Sequence, residues 1–419
     1  MSLLQYLSHY AEPESGCKSP ERNYDHVVVV PAFDETPSLL DGYRRAAESS
    51  EKVLWILVVN TRKDADPGAI LRTRYLLQAL STGSTALSYP GISIAPHHIG
   101  DIVLIDRCSP GRELPAKQGV GLARKIGCDL ALAWQSAGRI KSDWIHCTDA
   151  DVELPSGYFQ AADALQEDKN TVALSYPFWH RTEPASTEGR ALELYELSLR
   201  YYQFGLSWAG SNYAFYCVGS TIAVRARAYL AVRGMPKRLA GEDFYLLNKV
   251  AKLGAVVAPI CEPIQIAQRE SARTPFGTGP ATKTIAQDLL AGKSFHVYNP
   301  TSFALLREWL DALDHFAESC DLGILESFSH SILKDALPLE TEARLRESLK
   351  QCKSYEQRKV RLYTWFDGFK TLKLIHALRD RGLPDLDWQE AFDKAPFVPN
   401  PIGKLSLREF MAGHKAPSQ

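Results

Sequence analysis

The chain has 419 residues, 45% hydrophobic and 23% charged, and its 48 Lys plus Arg against 49 Asp plus Glu give a formal charge of -1. Such a chain is globular, long enough for two or more domains, and able to bury a large core without disulfide or metal staples. The absence of a basic excess disfavours nucleic acid as a partner, and no stretch approaches the roughly 20 apolar residues of a membrane span. The eight cysteines, at 17, 108, 128, 147, 217, 261, 320 and 352, show no Cys-x-x-Cys spacing and read as reduced thiols of a cytoplasmic protein. The first residues, "MSLLQYLSHYAEPESGCK", carry no basic cluster ahead of an apolar run and make a poor signal peptide. Peripheral contact with the inner face of a membrane stays open.

In chain order, "HVVVVPAF" (26–33) is β-branched, short and stopped by Pro31, as a buried strand would be. "ETPSLLDGYRRAAES" has helical spacing with a cap at Thr36 or Ser38. "KVLWILVVN" (52–60) is a second strand and "PGAILRTRYLLQALST" a helix; 82–100, with its Gly, Pro and Ser, predicts an extended loop. "DIVLIDR" is a third strand, "GVGLARKIGCDLALAWQSAG" a long helix, and "SDWIHCTDADV" a fourth strand that runs into Asp149 and Asp151. This alternation predicts an α/β fold with a mostly parallel sheet covered by helices, whose ligand sits beyond the carboxyl ends of the strands. Further strands are expected at 171–178 and 215–225, with helices at 190–208 and 241–254. Residues 302–381 have almost only helical periodicity. The expected organisation is an N-terminal extension 1–24, an α/β domain 25–285 and a helical C-terminal domain 286–419.

Two carboxylates one residue apart at the tip of a core strand suit a hard divalent cation. Magnesium and manganese take one or two carboxylates from protein and the rest of their shell from water and substrate phosphates. Alone, Asp149-Ala150-Asp151 fits a solvated turn with an N-cap better than a metal site, and phosphatases with an Asp nucleophile share the pattern. Likewise, Glu242 and Asp243 fit the acidic first turn of an ordinary helix, and the His97-His98 pair fits polar surface.

Four motifs in order shift that balance: "VVVVPAFDE" (27–35), "GVGLARKIG" (119–127), "TDADVELP" (148–155) and "GSTIAVRARAYLAVRGMPKRLAGEDFYL" (219–246). With them the chain resembles the family-2 glycosyltransferases of the GT-A fold over roughly residues 25–280. The resemblance implies a nucleotide-sugar donor, Mn2+ or Mg2+, and a carbohydrate, lipid-linked or small-molecule acceptor. It implies that Pro31, Ala32, Phe33 and Glu35 line the nucleoside pocket, with Arg124 near the base or closing the pocket. Asp149, beside Ala150, would meet the ribose or the metal, and Asp151 the metal. Asp243 would be the general base, supported by Glu242, giving inversion at the anomeric carbon; at a helix start it is expected to be ionised at neutral pH.

Where many members of that family carry Asp after the second strand, this chain has Asn60, and Asp64 or Asp66 are candidates to replace it. Trp179, His180, Gly219 and Ser220 are candidates for the acceptor side, and Arg273 beside "PFGTG" for a lid. "QRESARTPFGTG" lacks the Trp of the Gln-x-x-Arg-Trp signature of processive synthases, which favours single addition by a hexosyltransferase. The rivals are a nucleotidyltransferase, against which the absence of a Gly-rich basic loop after the first strand speaks, and an inactive nucleotide-sugar-binding module, against which the intact carboxylates speak.

Overall fold

The computed structural model describes residues 1–50, 52–183, 186–268 and 277–398. The chain divides into two compact units, one of residues 1–182 and 217–280 and one of residues 183–216 and 281–419. The sequence-based division kept 183–216 with the α/β domain; the structure groups it with the C-terminal helices instead.

Among the described residues of the first unit, twelve strands follow one another: β1 His26–Ala32, β2 Val53–Asn60, β3 Thr85–Ala86, β4 Ile92–Ala95, β5 Asp101–Arg107, β6 Trp144–Cys147, β7 Val152–Glu153, β8 Thr171–Ser175, β9 Phe178–His180, β10 Ile222–Arg225, β11 Ala255–Val257 and β12 Ile264–Ile266. Nine of them form one mixed sheet in the order β11-β8-β10-β6-β1-β2-β5-β4-β3. The parallel block expected from the alternation is its centre, β6-β1-β2-β5. Every residue of β2 is buried, which is why the sequence shows an unbroken apolar run instead of alternation. The helix Val120–Ser136 lies close against this block. A Cβ at Gly127 would stand 2.4 Å from Val29 Cγ1 and 3.3 Å from Val58 Cγ2, so glycine sets the approach.

The segment 82–100 is not a plain loop: β3 and β4 form a hairpin that adds two antiparallel strands to the β5 edge. The segment 35–49 is not one helix. It makes a 3-10 stretch, Pro37–Tyr43, and a short α-helix, Arg44–Glu48. Thr36 gives no capping bond; its hydroxyl meets that of Ser38 at 2.7 Å. The stretch 1–24 is no loose extension. Tyr6 Oη donates to Asp129 Oδ1 at 2.6 Å, and Tyr229 Oη, Lys125 Nζ and the Glu12 amide also reach that buried carboxylate, each at 2.8 Å.

The second unit is built from helices, among them Thr187–Trp208, Pro300–Ser319, Tyr355–Trp365 and Gly368–Asp380. Its core shows a helical period: Pro300–Ser319 buries Phe303, Leu306, Trp309, Leu310 and Leu313. Gly205 lets Phe303 approach, since a Cβ there would stand 2.4 Å from its ring. Tyr201 stacks on Phe392 with centroids 4.9 Å apart. Among the described residues no helix is long and apolar enough to cross a membrane.

Candidate active site

Strand β6 ends at Cys147, and Thr148-Asp149-Ala150-Asp151 is the loop that joins it to β7. The loop is held at each step. The Thr148 amide donates to the Val29 carbonyl at 3.1 Å, and its hydroxyl donates to the Ser220 carbonyl at 2.9 Å. Tyr43 Oη donates to the Asp149 carbonyl at 2.9 Å, while its buried ring stacks on Trp55 at 4.8 Å. The Asp151 carbonyl accepts from the Ala267 amide at 2.9 Å. These bonds use the backbone of the loop, which stands at the carboxyl end of the sheet.

Arg124 organises the site. It stands in the second turn of the helix Val120–Ser136 and is 3% exposed. One terminal nitrogen donates to Glu242 and the other to Asp149, so the guanidinium bridges two carboxylates from separate motifs. A third motif makes room for it: a Cβ at Gly219 would lie 2.6 Å from its Nη2 and 2.9 Å from its Cζ. Glycine is needed there by proximity; Gly219-Ser220 is the start of a 3-10 turn, Gly219–Thr221. Burial works against the charge on Arg124, and Asp149 and Glu242 more than restore it. Burial pushes the Glu242 carboxyl up while Arg124 pulls the other way.

Asp243 follows Glu242 at the start of the helix Glu242–Val250, entered through Gly241 in the left-handed region (φ 72°). Its Oδ1 accepts from the Phe244 amide at 2.7 Å. Burial, then the neighbouring Glu242, push this carboxyl up to about 7. The expectation of an ordinary ionised acid is therefore corrected: a helix start favours anions by no more than about 2 kcal/mol, and low-dielectric packing beside a second acid outweighs it.

The remaining expectations fall as follows. Pro31 and Ala32 end β1, and Phe33 and Glu35 continue from it half-buried. Asn60 ends β2, 6% exposed, and its Oδ1 has no hydrogen-bond partner among the described residues. Asp66 caps the helix Pro67–Leu80, accepting from the Ala69 amide at 2.9 Å, and Asp64 pairs with Arg62 at 3.0 Å. Trp179 and His180 belong to β9 in a small sheet, β7-β12-β9, whose strand β7 directly follows Asp151. Ser220 is buried, with its carbonyl on Thr148. The rings of His97 and His98 lie 4.2 Å apart, and no cluster of three His, Cys, Asp or Glu that could hold a metal occurs among the described residues. Arg273, Pro275 and Phe276 lie outside the described residues. Sequence reasoning missed Tyr43 and Thr148, whose roles depend on long-range pairing that no local pattern carries.

No family model matches the chain, and no curated protein matches its sequence. Solved structures similar to it include TarS 1–349 from S. aureus in complex with UDP-GlcNAc, 11% identical over 82% of this chain and 91% of that one, with a TM-score of 0.38. Another is the mannosyltransferase PcManGT from Pyrobaculum calidifontis in complex with GDP-Man and Mn2+, 15% identical over 88% of this chain and 94% of that one, with a TM-score of 0.35. At similarities this low, the chemistry of the site is read from the chain's own side chains.

Proposed function

We propose that the chain is a metal-dependent, inverting glycosyltransferase of the hexosyltransferase class that moves one sugar at a time from a nucleotide-diphosphate donor to an acceptor hydroxyl. The observation that carries this reading is the Arg124 bridge, which joins the Asp149 motif to the Glu242-Asp243 motif at the carboxyl end of a parallel block. That end is where open α/β sheets hold their ligands.

The donor set fits a divalent cation. Arg124 engages one oxygen of Asp149, the side chain is 36% exposed, and Asp151 stands two residues on in the same loop. Two carboxylates suit Mg2+ or Mn2+, whose shells are completed by water and diphosphate oxygens. When bound, such a cation neutralises the charge that grows on a departing diphosphate. Asp149 and Asp151 would hold it, with Arg124 fixing the orientation of Asp149. Asp243 would take the proton of the acceptor hydroxyl as that oxygen bonds to the anomeric carbon and the bond to the donor phosphate breaks on the opposite face. A base titrating near neutrality is well matched to that task. Trp179 and His180, in the same small sheet as the strand that follows Asp151 and separated from it by β12, are the proposed acceptor side.

The test is binding of uridine and guanosine diphosphate sugars, with and without manganese, to the parent chain and to Asp151→Ala. Manganese should strengthen donor binding in the parent and not in the variant. Undiminished manganese-dependent binding by a folded Asp151→Ala would remove the metal assignment.

A further inference from the structure

We propose that the chain carries a second ligand site, a cavity at the carboxyl end of β5 that binds the oxyanion of a small polar metabolite, a phosphate or a carboxylate. The cavity has a volume of about 620 Å³, and Glu14, Tyr89, Gly91, Asp106, Arg107 and Arg112 are among the residues that line it. None of them belongs to the carboxylate site. The volume lies in the range of small-molecule pockets.

The sign of the ligand follows from which hydrogen-bonding groups are already used. Asp106 is spent: its Oδ1 accepts from the Cys108 and Ser109 amides at 3.1 and 2.9 Å, and its Oδ2 faces Arg112 Nε at 3.6 Å. Glu14 is 4% exposed and lies 3.4 Å from Arg107. Burial pushes its carboxyl up while Arg107 pulls the other way. The two guanidiniums are not spent. Each carries five N–H donors. Arg112 donates through Nη1 to the Pro90 carbonyl at 2.7 Å, and Arg107 is engaged through Nη1 by Glu14, which leaves the Nη2 donors of both to a ligand. The surplus in the cavity is therefore of N–H donors on the two arginines, and guanidiniums favour planar or tetrahedral oxyanions.

The backbone is shaped for this. Gly91 sits at φ 84°, and a Cβ there would lie 1.8 Å from Arg112 Nη1 and 2.8 Å from its Cζ. Only glycine lets the guanidinium lie across the β3–β4 turn. Arg107 pairs with Asn60 across β5 and β2, and its carbonyl accepts the Thr61 amide at 3.0 Å, so the cavity lies at the carboxyl end of the same parallel block as the carboxylate site, on different strands and without sharing its side chains.

The inference is independent of the glycosyltransferase reading. The experiment is calorimetric titration of the full chain, without metal, with inorganic phosphate and with malonate at constant ionic strength. Saturable binding is expected, weaker by at least about tenfold in Arg112→Met, since a hydrogen bond to a charged group is worth that much. Asp106 keeps its two amide bonds in that variant, so its fold should survive; Gly91→Ala, which displaces the same guanidinium, gives a second route. Binding of phosphate alone assigns phosphate esters, and of malonate alone carboxylates. Absence of saturable binding by both, equal binding by both variants, or loss of binding in Asp151→Ala would overturn the site.

Discussion

Arg225 and Arg124 lie at opposite ends of β6 and are bonded in different ways. Arg225 pairs with Trp144 at the start of that strand, is 0% exposed, and lies over the Trp144 ring at 4.2 Å. All three of its side-chain nitrogens are satisfied, by Asp143 at 2.7 and 2.9 Å and by the carbonyls of Leu165, Gln166, Asp168 and Thr171. Arg124 is as deeply buried, yet it meets only two carboxylates, and its Nε has no partner among the described residues. One arginine is saturated by backbone and fixes the fold. The other holds side chains that could be shared with a ligand, and its surroundings hold one acid pushed up to about 7.

That contrast can be broken by substitution. Arg225→Met leaves Asp143 and four carbonyls without their donor. It should cost about 3 kcal/mol of stability, at the low end for a broken buried pair because Asp143 regains water, read from denaturant midpoints with catalysis per folded molecule unchanged. Asp243→Asn should do the reverse: turnover falls by about 10²-fold or more, with donor and manganese affinity little altered. Turnover within a few-fold of the parent at saturating acceptor would sink the base assignment. Arg124→Met should weaken metal-dependent donor binding by about 10- to 100-fold, the scale for a partner that orients a ligand side chain. Its stability loss should be smaller than that of Arg225→Met, because Glu242, already pushed up by burial, can take a proton. Equal losses of stability in the two arginine variants would erase the distinction. Gly219→Ala, which crowds the guanidinium, should lower kcat/KM by about tenfold through misplacement alone.

The smallest effect is on pH. Asp243 has a folded-state value raised above its unfolded one, so its contribution to stability is full below about 4 and is lost as pH rises through about 7. Without metal, the stability of Asp243→Asn relative to the parent should therefore improve between about pH 5 and about pH 8. The rate should move the other way, rising through the same window as the base ionises. A flat rate profile across neutrality in the parent would count against Asp243.

Legibility in the sequence followed the range of the interactions. β1, β2, β5 and the helix Val120–Ser136 are written in local apolar runs; Asp149 follows the end of β6, Arg124 lies in the second turn of that helix, and Glu242 opens the helix Glu242–Val250. The β3–β4 hairpin was hidden because its strands are short and partly exposed, with the same glycine and proline signals as a loop. The role of Tyr43 comes from a contact 106 positions away, and the raised Asp243 from burial created by the whole unit. Neither has a local signature.

The excursion of residues 183–216 into the second unit has a consequence for how the chain is made. Strand β10, which closes the gap between β6 and β8, emerges only after that excursion. A ribosome would thus release the helix Thr187–Trp208, with Tyr201 and Phe204 on its apolar face, well before Phe303 and Phe392 exist to cover Tyr201. Truncation near residue 285, where composition suggests a boundary, should yield an insoluble fragment for the same reason: the cut strands one half of a core whose other half lies downstream.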